Sequence, residues 1–460
     1  MKTTLLLAVV PTAVAFIGSD TLPISLYAGS DLPNEVLQDR FEDQVNLWIP
    51  LMLDGSYPLN ASDPNLIGLD NPNGPQSTPS DEPKLEWSVQ LPTIFGQGNV
   101  IVPSPWEENV VYATSSDGKV VVVWADGSVD TYTPPLILSG STVAVGGLSF
   151  SRAGVIVYAV CDKDYRDGRL TSRIVALSPD LREGWVTPVA GEVVGTPLIM
   201  KEGALVGKYL AAIYNDMDGG SHLGVWHVWD GSLLLEESFP VQRASAPALF
   251  ENEGKQGILW TATGAAASIY SCTLPMTLGR RSSLDVERKS VSWESKLPPV
   301  VNTESDRAYF TTTEGGIVSV QIPSIIEEWL TSVMDSDYIY KACPAISSDG
   351  LQVIVGLGNG SVVGLDARSG AQMWKAQASD AEVAVPPVVS SDNRIVVVAS
   401  LTEVSALDQA DGTLLWSIPV ASAIRASMSM SASALLVAHA SGRIDAYNIQ
   451  EEVGPLPSSR

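Results

Sequence analysis

Short apolar runs rich in Val, Ile, Leu and Ala recur along most of this chain, each closed off by Gly, Pro, Asn, Asp or Ser. Examples are Val110-Val111-Tyr112-Ala113, Val120-Val121-Val122-Val123, Val155 to Val160, Tyr209 to Tyr214, Ile395 to Ala399 and Leu435 to Ala438. β-Branched and aromatic residues suit a pleated, buried strand, and the residues between the runs are those that make tight turns. The pattern therefore predicts many short strands joined by hairpins.

The runs repeat in register. Leu365-Asp366 matches Leu407-Asp408, Gly370 matches Gly412 and Trp374 matches Trp416, each 42 residues on. A period of about 40–45 residues marks a four-stranded propeller blade. One copy reads as four strands: Pro386-Pro387-Val388-Val389, then Ile395 to Ala399 after a Ser-Asp-Asn turn, then a strand ending Ala406-Leu407-Asp408, then one carrying Trp416. Asp408 is placed to accept hydrogen bonds from the turn's own N–H groups, and Gly412 to supply φ > 0. The Trp is expected to pack between blades rather than to stack on a sugar.

Weaker copies span Asn99 to Pro135, Val143 to Pro188, Val193 to Val241, Ala244 to Pro298 and Pro299 to Met334, and a partial copy spans Ile424 to Ile449. With the two strong ones this makes eight. The last copy has room for three strands only. Leu85-Glu86-Trp87-Ser88-Val89 reads as its missing outer strand. The expected fold is all-β, an eight-bladed β-propeller of four-stranded blades whose ring is closed by an N-terminal strand. Such closure removes a free sheet edge. Residues 86–90 should pair with 443–449.

The chain ahead of the repeat differs from it. Lys2, the apolar Leu5 to Val10 and the small-x-small Ala13-Val14-Ala15 form a signal peptide over 1–15. Residues 16–84 form a leader, with a helical pattern from Glu35 to Ile49 and a Pro/Asn/Asp-rich linker after it. The propeller is expected over 85–450 and a tail over 451–460. No later apolar stretch is long enough to span a bilayer, so a soluble product of the secretory pathway or extracellular space is expected. The Ala15-Phe16 junction also resembles the cleavage junction of plastid presequences in algae with secondary plastids, an alternative destination. Asn60-Ala61-Ser62 and Asn359-Gly360-Ser361 are glycosylation sequons, the second doubling as a hairpin turn.

Charge narrows the partners. Lys and Arg total 27 against 52 Asp and Glu, a formal charge of -25. That surface repels phosphate backbones and excludes nucleic acid as a partner, while favouring cations or a basic protein or peptide.

The Leu-Asp-x-x-x-Gly-x-x-x-Trp pattern at 365–374 and 407–416 resembles the PQQ-type repeat of the quinoprotein alcohol dehydrogenase-like propellers. That family divides into dehydrogenases holding pyrroloquinoline quinone with calcium, and cofactor-free propellers such as the scaffold lipoprotein of the outer-membrane β-barrel assembly machine. The resemblance implies adjacent, disulfide-bonded cysteines beside the quinone in the dehydrogenases; Cys161, Cys272 and Cys343 are isolated, and no CxxCH haem motif occurs. The lipoprotein branch would need a cysteine after the signal peptide, and none stands there. The cofactor-free branch is the expectation.

Two acidic stretches are the candidate sites: Asp162, Asp164 and Asp167 in one, Asp216 and Asp218 in the other. Both fall between the second and third strands of consecutive blades, so both should project on one face. Clustered carboxylates on a Gly-containing loop suit calcium, though Asp, Asn and Gly are also ordinary turn residues and the spacing is not that of an EF-hand. His222, His227 and His439 lack zinc spacing and are expected at turns or on the surface. No nucleophile elbow, P-loop or HExxH is present. The sequence thus predicts a non-catalytic propeller that binds a protein or peptide, with a divergent quinone dehydrogenase as the alternative.

Overall fold

A computed structural model describes residues 83–449, apart from 97, 136–139, 165–169, 201–207, 240–241, 253–254, 265, 275–283, 303–305, 334–341, 384 and 431–433. The signal peptide, the leader with its helical pattern, Asn60 and the 451–460 tail lie outside the described residues. Among those described none is helical, and the strands gather into eight sheets.

Seven sheets follow one another along the chain. The first blade runs Ile101–Pro103, Val111–Thr114, Val120–Val123 and Val129–Tyr132; the second Gly140–Phe150, Ile156–Asp164, Leu170–Leu177 and Glu183–Val189. The third runs Glu192–Ile199, Tyr209–Asn215, Ser221–His227 and Leu233–Phe239. In the fourth, Gln242–Ala244 and Ala248–Asn252 both pair with Lys255–Gly264, so one inner strand is interrupted; Ser268–Thr273 and Asp285–Ser290 follow. The fifth runs Val300–Asn302 to Ile326–Ser332, the sixth Ala345–Ile346 to Gln372–Gln377 and the seventh Val388–Val389 to Leu414–Pro419. Inner strands touch around the whole ring, and the eighth blade returns to the first through the Val100–Ser427 bridge.

The apolar runs are continuous because both faces of each blade are covered. Val120 and Val122 point at the second blade beside Phe150 and Tyr158, whereas Val121 and Val123 point at the eighth beside Leu436 and Ile444. Strand side chains alternate sides, so an uninterrupted Val run fills two interfaces at once. The eight apolar clusters of the molecule are its eight blade-to-blade interfaces.

The motif glycine and tryptophan meet across those interfaces. Trp374 of the sixth blade donates its indole N–H to the Gln409 carbonyl of the seventh (2.8 Å) and lies against Gly412, where φ is +76°. Trp185 does the same with Val228 (2.7 Å) and Gly231, and Trp329 with Ala367 (3.3 Å) and Gly370. Each glycine thus serves the tryptophan of the preceding blade. Asp366 and Asp408 accept turn N–H groups from Ser369 and Ala410, as their position after Leu suggests.

The chain's ends close the ring as the partial last copy requires. Lys84–Gln90 forms the outer strand of the eighth blade, Ser88 opposite Asp445 and Gln90 opposite Arg443, with a bulge at Glu86. The hairpin at Ser441-Gly442 grips the same segment through Leu91 N–H to the Gly442 carbonyl (3.0 Å) and Gln90 Nε2 to the Ser441 carbonyl (2.8 Å). Behind it sits a buried polar knot, and this corrects the expectation for one histidine. His439 is only 3% exposed, with Nε2 2.9 Å from Asp445 Oδ2 and Nδ1 3.2 Å from the Ser422 carbonyl. Arg443 Nε donates to Asp445 Oδ1 at 2.6 Å. Burial alone would raise the Asp445 carboxyl, but hydrogen bonds from His439, Arg443 and Ser88 outweigh it and hold it at about 2.

Candidate functional site

Three consecutive blades are taller than the others. The second strands of blades two, three and four have 9, 7 and 10 residues, against 4 or 5 elsewhere. Their inner strands are lengthened to match, each with a break at the level where other blades begin. The register shifts between Val145 and Ser149 and between Val194 and Leu198, and the fourth blade is split between Ala244 and Ala248. Such bulges bend a strand and terminate pairing. Here they bring inner strands together: Gly147 N–H donates to Thr196 Oγ1 at 2.6 Å and Ser149 Oγ to the Pro197 carbonyl at 2.5 Å. A Cβ on Gly146 would stand 2.5 Å from the Thr196 nitrogen, and one on Gly195 2.4 Å from Ala246 Cβ, so both must be glycine. The extensions all lie at the hairpin end between second and third strands, which gives that face a raised rim.

Asp162 and Asp216 both lie at the hairpin end of these lengthened strands, but their carboxylates are engaged differently. Asp162 is buried inside its strand. Arg173, two positions beyond Asp162's register partner Thr171 in the neighbouring strand, meets it with Nε at 2.8 Å and Nη2 at 3.0 Å, and Thr142 Oγ1 donates at 2.5 Å. Both charged side chains are at most 4% exposed. Asp162 is therefore one half of a buried, bidentate ion pair. Asp164 ends the strand Ile156–Asp164, and Asp167 lies outside the described residues.

Asp216 organises its own hairpin. Its Oδ1 accepts the N–H of Asp218 (2.9 Å) and Gly220 (2.8 Å), and its Oδ2 lies 2.9 Å from His222 Nε2. The other ring nitrogen of His222 lies 3.0 Å from Ser238 Oγ. Tyr214, His222 and Ser238 are register partners across three adjacent strands, so their side chains form one row. Tyr214 stacks on the imidazole at 4.7 Å and 8°, and its hydroxyl donates to Glu236. Burial first, then the Glu236 carboxylate, push the Tyr214 hydroxyl well above the ordinary phenol range. The His222 bond, followed by the Gly220 amide, holds the Asp216 carboxyl below its usual value. Spacing alone hid this grouping, because His222 and Ser238 are joined by strand register rather than by a motif. The signal in the sequence was the hairpin Asn215 to Gly219, which fixes the strand pairing that follows.

Met217 and Asp218 occupy the hairpin tip, Met217 being 71% exposed. His227 stands at the far end of its strand, 3.6 Å from Asp230. Asn359 is exposed at the corresponding hairpin of the sixth blade, its side-chain oxygen accepting the Ser361 N–H at 3.0 Å.

With fold and rim in view, the molecule is an eight-bladed β-propeller. Residues 341–451 match the family model described as "Outer membrane protein assembly factor BamB", over the stretch that carries the repeated Leu-Asp-x-x-x-Gly-x-x-x-Trp motif. The likeness to that family rests on this C-terminal stretch. Similar solved structures include BamB from Moraxella catarrhalis (16% identity, TM-score 0.56, covering 80% of this chain and 100% of that one). Others are a quinohemoprotein alcohol dehydrogenase from Comamonas testosteroni (10%, 0.58, 82% and 78%) and the Dos1 propeller (11%, 0.57, 81% and 96%). At these identities the likeness carries the fold alone. No curated protein sequence matches the chain.

The dehydrogenase alternative would need residues to hold a quinone and calcium. Cys161, Cys272 and Cys343 are free thiols in the second, fourth and sixth blades, so no adjacent pair exists. Among the described residues no three His, Cys, Asp or Glu side chains gather as a metal site. Asp162 and Asp216 are already engaged by protein donors.

Proposed function

We propose that this propeller acts as a scaffold of the secretory pathway that binds a protein or peptide partner at the raised rim of blades two to four. The observation that carries the reading is the rim itself: three neighbouring blades lengthened at one end, with large apolar side chains left exposed there. Val143 is 41% and Met217 71% exposed, and Asp218 stands beside Met217. Exposed apolar anchors with a carboxylate beside them suit a partner that offers apolar residues flanked by Lys or Arg. The net charge of -25 speeds the approach of such a partner.

A photo-crosslinking residue at position 217, with one at exposed Leu414 on the outer strand of the seventh blade as control, tests this. Capture of a discrete basic protein from the secretory fraction at 217 and not at 414 is the expected result. Equal capture at both positions, or none at 217, counts against the rim. The quinone dehydrogenase reading is separated by reconstitution with pyrroloquinoline quinone plus calcium: stoichiometric binding with dye reduction would replace the scaffold reading.

A further inference from the structure

Asp216, His222 and Ser238 form a relay that partner binding does not require. Asp216 Oδ2 can only accept, so His222 Nε2 carries a proton toward it; in the neutral ring the lone pair then falls on Nδ1, 3.0 Å from Ser238 Oγ. Register pairing of His222 with Ser238 and the flat stack of Tyr214 hold the ring in that orientation. Base, positioning carboxylate and hydroxyl are thus in one line, and Ser238 is exposed on the outer strand of its blade. We propose that Ser238 is an activated nucleophile that accepts acyl groups from activated esters, with His222 as its base and Asp216 as the positioning residue.

The step balances within this set. Ser238 Oγ bonds to the carbonyl carbon while its proton passes to His222 Nδ1; the ester C–O bond breaks, and the leaving oxygen takes that proton. Water, deprotonated by the same nitrogen, then releases the acid and restores the serine. Because Ser238 stands at an exposed edge, the oxyanion forms in contact with water. Aryl and similarly activated esters, whose leaving groups need little help, are therefore the substrate class, rather than amides.

The test is labelling with a fluorophosphonate probe, mapped by mass spectrometry. One label at Ser238 is expected, with a rate that rises as one group deprotonates. His222→Asn should slow labelling about a hundredfold while melting stays near wild type. Asp216→Asn should slow it less and move its pH midpoint downward. Aryl-ester hydrolysis should follow the same order. No label, label spread over other surface serines, a flat pH profile of the wild type, or a rate unchanged in His222→Asn would each overturn the proposal. The wild-type profile decides the matter even where a variant fails to fold.

Discussion

Trp374 lies against Gly412 of the next blade, not against the motif glycine Gly370 of its own repeat, and its indole N–H ends on the carbonyl three residues before Gly412. The motif therefore describes two half-contacts, completed only when blades are neighbours. A Cβ at Gly412 would stand 2.6 Å from Trp374 Cε3 in a left-handed backbone. Gly412→Ala should cost about 1 kcal/mol of backbone strain, with the clash against Trp374 added to it. Gly127→Ala is the comparison: φ is +81° there but nothing lies within 4 Å, so about 1 kcal/mol is expected. Denaturant midpoints of the two variants check the difference, and equal losses would rule out the tryptophan contact as a stabilising element.

Acid should loosen the seam. The Asp445 carboxyl is held at about 2, below its ordinary 3.8. A depressed carboxyl contributes stability that is complete above its unfolded value and is lost as pH falls through the folded one. The contribution, on the order of 2 kcal/mol, should be present at pH 5 and fade between about 4 and 2. Asp445→Asn should lower stability at pH 5 and flatten this part of the pH dependence. An unchanged slope in urea titrations would show that the knot is not coupled to folding.

Removing one partner of the Asp162–Arg173 pair strands the other in the interior. Arg173→Met should cost about 3–5 kcal/mol, and Asp162→Leu with Arg173→Met together much less. A double-mutant cycle by chemical denaturation measures this. Additive losses would place the two charges in contact with water.

Thiol chemistry offers a further check. Burial pushes the Cys272 and Cys343 thiols up to about 12 and raises Cys161 as well. Neither Cys161 nor Cys272, both buried, should react with a disulfide reagent at pH 8 in the native protein, and both should react after unfolding. Rapid native reaction of Cys272 would contradict its full burial.

Most of the architecture was legible because it is periodic. The 42-residue offset, the Val runs and the orphan strand at Trp87 led to eight blades and to the pairing of 86–90 with 443–449, which the structure shows as Lys84–Gln90 against Arg443–Asn448. The candidate site was legible only in part. The two acidic stretches were found because turn residues cluster there, but composition does not say which carboxylates are already partnered. Arg173 meets Asp162 across a strand pair, and Ser238 meets His222 across another. His439 resembled a surface residue because its partner Asp445 follows a hairpin, and burial depends on the closing strand from the other end of the chain. Such contacts depend on register and packing, which no local window contains.

Among the described strands, the outer strand of the last blade is the first to be made. During synthesis Lys84–Gln90 emerges well before Arg443–Asn448, a wait of some tens of seconds at ordinary translation rates. Over that interval seven blades can form but the circle cannot, and the waiting strand offers its edge to any chain nearby. Biogenesis of this protein therefore ends in a single late event, and a ribosome stalled short of residue 443 should carry an open arc that chaperones still hold.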